Sequence, residues 1–150
     1  MSAAPRFARL GPESVDALLA IEQASFPHPW SRDAYQRELA GNRLAHYYGC
    51  YLGDTLVAFA GFWLVLDEAH ITNVAVAPAF RRRYLGEWLL RRLFVEAQAQ
   101  GARRLTLEVR AKNIPAIRLY EKLGFRSAGL RKAYYDDPPD DAVIMWWGDA

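Results

Sequence analysis

The apolar positions of this chain repeat with helical spacing in some segments and alternate in others. Val15, Leu18, Leu19 and Glu22 recur at helical spacing behind Pro12, a residue suited to a first helical turn. They predict a helix that ends before Phe26-Pro27. A second helix is predicted to follow Ser31, a good N-cap, with Asp33 in its first turn. The loop between them, Phe26-Pro27-His28-Pro29-Trp30, is stiffened by two prolines and ends in an aromatic. Apolar runs around Tyr47–Leu52 and Leu56–Leu66, joined at Gly53-Asp54, read as a hairpin. A third strand from about Ala69 to Ala77 stops at Pro78. Leu85, Leu89, Leu93 and Ala97 line one face of a long helix that Gly101 suits as a cap. Alternation returns from Leu105 to Arg110, and a short helix from Ile114 to Leu123 closes on Gly124. Two last strands, Phe125–Ala133 and Ala142–Trp147, flank an acidic loop.

Two helices, three strands, a helix, a strand, a helix and two strands predict mixed strands with helices on both faces, an α/β or α+β sandwich. No repeat, linker or low-complexity tract interrupts the order. The 150 residues are expected to form one domain spanning the chain, able to bury roughly two-thirds of its unfolded surface.

Composition narrows the function classes. The 19 basic and 17 acidic residues nearly cancel to +2, which is no nucleic-acid signature. A lone cysteine, Cys50, excludes an intrachain disulfide and fits a reducing compartment; its strand context favours a buried thiol over a reactive one. The N-terminus lacks the apolar core of a signal peptide. The run Leu56–Leu66 is shorter than the ~20 residues that span a bilayer. A cytoplasmic protein without membrane or direct nucleic-acid partners is expected. His28, His46 and His70 lack tight metal-ligand spacing, so no metal is expected, and each reads as a surface or locally bonded imidazole.

The residue types alone leave several roles open. Arg81-Arg82-Arg83 precedes a helix start, where free N–H groups and a partial positive charge attract anions; it equally describes a solvated basic cap. Alternation turns Glu108 away from Leu105, Leu107 and Val109, toward the face of Thr106 and Arg110. That fits a reactive carboxylate or a solvent-facing one paired with Arg110. Tyr120 fits a core tyrosine as well as a proton donor, and Asn113 an N-cap as well as a ligand contact.

The ordered set is more specific than its parts. N-V-A-V-A-P at 73–78, R-R-R-Y-L-G at 81–86, L-T-L-E-V-R at 105–110 and N-I-P-A-I-R-L-Y-E-K-L-G-F at 113–125 resemble the GNAT superfamily of N-acyltransferases. The resemblance extends from about Gly11 to Trp147. L-E-V-R followed by N-x-x-A-I-x-L-Y-E-x-L-G-F is most similar to the branch that acetylates the N-terminal alanine of a small-subunit ribosomal protein.

The resemblance implies the GNAT fold, in which the central sheet splays into a V-shaped cleft, with acetyl-CoA as acyl donor and no metal. It implies that the pantetheine arm bonds the backbone of Val74, Ala75 and Val76. The pyrophosphate would sit on the loop of Arg81, Arg82, Arg83 and Tyr84 and the helix start at Leu85, Gly86 and Glu87, with Asn113 as a further contact. Tyr84 departs from the family pattern Q/R-x-x-G-x-G/A, which has glycine there; ordinary helical dihedrals are expected at Tyr84. Glu108 would be the general base, its pKa raised by partial burial. An α-amine titrates at about 7.7–8.0, so it needs such a base. Tyr120 would be the general acid for the leaving thiolate. Trp30, Tyr134 and Tyr135 would wall the acceptor slot, and Asp136 and Asp137, with Asp140 and Asp141, would attract a basic peptide tail. The implied partner is a protein N-terminus, that of a ribosomal protein; oligomeric state stays open. Two other readings remain: a small-molecule amine acetyltransferase, and a catalytically silent acyl-CoA-binding domain.

Overall fold

The computed structural model describes residues 4–148. Its elements are β1 (Pro5–Arg9), α1 (Val15–Ser25), α2 (Arg32–Ala40), β2 (Ala45–Leu52), β3 (Thr55–Val65), β4 (Glu68–Val76), α3 (Leu85–Ala99), β5 (Arg104–Arg110), α4 (Ile114–Lys122), β6 (Arg126–Asp136) and β7 (Pro139–Gly148). The strands form one sheet in the order β1-β2-β3-β4-β5-β7-β6. Among the described strands, only β4 and β5 run parallel. None of the described helices is long and apolar enough to cross a membrane.

Two differences from the sequence expectation stand out. The short edge strand β1 was not anticipated, because five residues carrying Arg6 and Arg9 show little alternation; pairing of Phe7 with Cys50 on β2 supplies what the local sequence lacks. The acidic loop contracts to a hairpin turn at Asp137-Pro138, since β6 runs to Asp136 and β7 begins at Pro139. Asp140 and Asp141 therefore lie in a strand.

One core packs α3 against the sheet, where Leu89, Leu90, Leu93 and Ala97 meet Val57, Phe62 and Leu105. A second packs α1 and α2 on the opposite face through Leu18, Leu19, Tyr35, Tyr47 and Phe59. Cys50 is buried in the first core, and burial pushes its thiol pKa up. Each fully buried Leu or Phe contributes about 1.5–3 kcal/mol, so these two layers hold the sheet rigid between them.

The sheet opens at its centre. β4 and β5 pair only at Glu68–Arg104, Ala69–Leu105 and His70–Thr106. Beyond His70 each strand stays with its outer neighbour, β4 through Ala60–Val74 and Ala58–Val76, β5 through Glu108–Ile144 and Arg110–Ala142. A register shift between β3 and β4 at Gly61/Phe62 leaves Thr72 as an extra residue in β4, and such bulges bend a strand and increase its twist. Gly61 is required beside it, because a Cβ there would come within 2.5 Å of the Tyr47 ring.

The backbone at Tyr84 corrects the expectation of helical dihedrals. Tyr84 is the N-cap of α3 with φ 61° and ψ 15°, left-handed geometry. The chain must reverse between the Arg81–Arg83 segment and the helix, and glycine is the residue that does so without steric cost. The residue is 78% exposed, so little packing offsets the strain. Tyr84→Gly should stabilise the fold by about 0.5–1 kcal/mol, a Tm rise of about 1–4 °C by calorimetry. A lower Tm would show that contacts of the phenol outweigh the strain.

Candidate active site

The opening between β4 and β5 is a cavity of about 420 Å³. Its walls come from five places in the chain: Glu22 and Trp30 of the α1–α2 region, Thr72, Asn73 and Val74 of β4, Glu108 and Arg110 of β5, Asn113 and Tyr120 of α4, and Tyr135 and Asp137 of the last hairpin. Seven residues singled out by sequence thus meet in one cleft: Trp30, Val74, Glu108, Asn113, Tyr120, Tyr135 and Asp137. Tyr134 does not line it but stacks on Tyr135 at 5.0 Å, and Asp136 ends β6 outside it.

Glu108 is not paired with Arg110. Its Oε2 lies 2.6 Å from Nε2 of His70, while Arg110 donates to the Pro138 carbonyl at 2.7 Å and lies over the Tyr135 ring at 4.2 Å. The expected upward pKa shift is corrected as well. The hydrogen bond with His70 outweighs burial and holds the Glu108 carboxyl below its usual range. The same bond raises the His70 imidazole against the opposing effect of burial. His70 carried no signal beyond its alternation on β4, because the contact depends on the parallel register between two strands that α3 separates in sequence.

Tyr120 sits on α4, whose N-terminus is capped by Asn113 Oδ1 accepting from the Ala116 N–H at 3.3 Å. Burial, with a smaller contribution from Tyr135, pushes the Tyr120 phenol up to about 12. It is therefore protonated throughout the neutral range.

A polar network missed by sequence supports the acceptor-side wall. Glu22, only 2% exposed, accepts from the Trp30 N–H at 2.9 Å and from the Tyr35 hydroxyl at 2.8 Å. Asn73 Nδ2 donates to the same hydroxyl. Beside it, Tyr47 bonds Thr72 at the bulge, and Glu38 accepts from Trp63 and Asn42. Burial and the neighbouring Glu22 raise the Tyr35 pKa far above the phenol range. A carboxylate at helical spacing among apolar residues was the available sign, since a charge on a core face is retained only when it is bonded.

A second cavity, of about 530 Å³, lies where the start of α3 faces α4. Arg81, Arg82, Tyr84, Leu85, Gly86 and Glu87 form one side, and Arg118 and Lys122 contribute the other. The Trp88 N–H bonds back to the Tyr84 carbonyl, and the amides of a helix's first residues before it have no partner within the helix. A Cβ at Gly86 would lie 3.3 Å from Val76, so glycine lets the helix start sit against β4. Several charged side chains have partners: Arg81 donates to the Val76 carbonyl at 3.0 Å and to Ser25 Oγ at 3.1 Å. Glu87 pairs with Lys122 at 2.9 Å and Arg91 at 3.2 Å, and Arg83 leans over Phe80. Ala75 points its side chain into the α1–α2 core, leaving only its backbone for any ligand.

The model of the acetyltransferase (GNAT) family matches residues 15–125. A Bacillus subtilis relative is 44% identical over 89% of both chains. A Salmonella typhimurium relative, a ribosomal protein bS18-alanine N-acetyltransferase, is 41% identical over 91% of this chain and 92% of its own. The crystal structure of an Escherichia coli ribosomal-protein-alanine N-acetyltransferase superposes with a TM-score of 0.90 at 35% identity, covering 97% of this chain and 94% of that one. The matched residues contain the splayed strands, the basic loop with its helix start, and both Glu108 and Tyr120. On this agreement of sequence and architecture, the chain belongs to the acetyltransferase (GNAT) family.

Proposed function

We propose that this protein transfers the acetyl group of acetyl-CoA to the N-terminal α-amine of a protein, with the N-terminal alanine of ribosomal protein bS18 as acceptor. The observation that carries the reading is the convergence of Glu108 and Tyr120 on a cleft bordered by the unpaired edge of β4. The names of the Salmonella and Escherichia coli relatives support the acceptor.

Of the segment Val74, Ala75 and Val76, Ala75 bonds back to β3 at Phe59, the Val76 carbonyl accepts from Arg81, and the remaining gap-facing backbone groups of Val74 and Val76 are left for the pantetheine amides to satisfy. The helix start at Leu85, Gly86 and Glu87, with Arg82 and Tyr84, receives the pyrophosphate. Arg81 and Arg83 shape that loop through their contacts with Val76 and Phe80. The acceptor amine enters between Trp30 and Tyr135, beside Asp137, whose carboxylate lies 2.9 Å from His28 Nε2. Glu108 takes a proton from the amine as nitrogen attacks the thioester carbonyl. Tyr120 donates its proton to the departing sulfur, a thiolate whose conjugate thiol titrates near 8.5. A phenol near 12 donates only as negative charge develops on sulfur, so alignment in the site carries this step. Asn113 holds the start of α4 and thereby Tyr120.

Acetyl-CoA at about 100 times its Kd should stabilise the fold by roughly 2.7 kcal/mol, a Tm rise of about 5–10 °C. No shift at millimolar acetyl-CoA would remove the donor assignment.

Glu108→Gln and Tyr120→Phe should each lower kcat by about 10²–10⁴. Acetyl-CoA affinity should stay within about threefold in Glu108→Gln, measured by calorimetry. A variant that keeps the wild-type rate takes its residue out of the mechanism.

Acceptor choice is read by comparing an alanine-initiated basic peptide with free lysine and polyamines. The peptide should be turned over preferentially, and Asp137→Asn should raise its KM and weaken the salt dependence. Equal turnover of all acceptors would contradict the protein-terminus reading.

A further inference from the structure

We propose that His70 is the second member of a proton-transfer pair: it receives the proton that Glu108 takes from the acceptor amine and delivers it to solvent. The inference rests on the reading of Glu108 as base and extends it to a residue on a different strand.

The geometry places the pair at the throat of the V. His70–Thr106 is the last paired position of β4 and β5, and Glu108 is the next residue of β5 on the same face as Thr106. The two side chains meet across the point where the strands part, Nε2 to Oε2 at 2.6 Å, short for an N–H···O hydrogen bond. Exposure is graded along this line. The Glu108 side chain is 20% exposed and lines the cleft, whereas that of His70 is 41% exposed. A proton moving from the first to the second moves toward water.

The chemistry requires such an outlet. Acetylating an ammonium yields an amide, a thiol and one proton that must leave the site. An ammonium N–H bond breaks, its electron pair staying on nitrogen to form the new N–C bond, and an O–H bond forms on Glu108; as the C–S bond breaks and Tyr120 protonates the sulfur, the second proton lost from nitrogen restores the Tyr120 phenol. The O–H bond on Glu108 then breaks as Nε2–H forms on neutral His70, and the imidazolium releases a proton to water from Nδ1. A lone carboxylate near 4.3 is mismatched to an amine at about 7.7–8.0 by more than three pH units, and the hydrogen bond from His70 lowers it further. With His70 neutral, the pair gains the basicity of an imidazole, which the surrounding charges raise: Glu108 on β5 and Glu68 on β4 favour the imidazolium, opposed by burial and Arg131 of β6. The competent form has His70 deprotonated. Activity therefore rises with pH through a limb lying above the ordinary imidazole value of about 6.5.

The test compares wild type, Glu108→Gln, His70→Ala and His70→Gln, each checked for an unchanged melting profile. His70→Ala should lower kcat about tenfold or more with KM for peptide and acetyl-CoA within about twofold. Added imidazole, which the exposed site admits, should restore several-fold activity to His70→Ala. In His70→Gln the acid limb of the wild-type profile should vanish, leaving that of the amine. By NMR, the ring resonance lost in His70→Gln should titrate above the ordinary value in wild type and lower in Glu108→Gln. Glu108→Gln activity at the wild-type level would overturn the base assignment, and the relay with it. An inactive Glu108→Gln beside a His70→Ala with wild-type kcat and pH profile would overturn the relay alone. So would a kcat loss that imidazole leaves unchanged, or a His70 titration indifferent to Glu108→Gln.

Discussion

Three residue pairs between β4 and β5 are the constraint on which the rest of the structure depends. A parallel pair needs a crossover, and α3 supplies it, bringing its N-terminus beside the end of β4. Had the pairing continued, the facing edges of the two strands would satisfy each other and the sheet would be closed. Because it stops at His70–Thr106, β4 keeps an unpaired edge, β5 presents Glu108 to the gap, and α4 brings Tyr120 to its side. The bulge at Thr72 and the bare backbone of Gly61 bend β4 away.

The opening is stabilised by polar contacts as well as by the apolar layers. On the acceptor side, Glu22 ties the backbone of Trp30 to Tyr35, and Asn73 joins that pair from β4. Removing one partner would leave a buried carboxylate or hydroxyl unsatisfied, which costs about 1–3 kcal/mol or more. On the donor side, Arg81 links the end of β4 to the end of α1, and Lys122 of α4 pairs with Glu87 of α3. These contacts hold the two cavities in a fixed relation around β4.

Most of this architecture was legible in the sequence because its signals are local. The apolar face of α3, the caps at Ser31 and Asn113 and the turn at Gly53 each act within a few residues, and all are present. The family resemblance supplied the splay, which no local pattern encodes. What escaped the reading is long-range or strained. β1 acquires its strand character from β2. The neighbour of Glu108 is thirty-eight residues away in sequence, so the sign of its pKa shift could not be anticipated from burial alone. Tyr84 adopts left-handed geometry although it carries a Cβ, so the turn dictates the conformation even where the residue resists it.

The acyl donor is proposed to lie along the unpaired edge of β4. Amide hydrogen exchange along residues 71–76, compared with and without saturating acetyl-CoA, tests it most directly. The β4 amides facing the gap should slow by about tenfold or more, together with those at the start of α3, while the β3-facing amides change little. Protection confined to α3, with β4 exchange unaltered by acetyl-CoA, would contradict it.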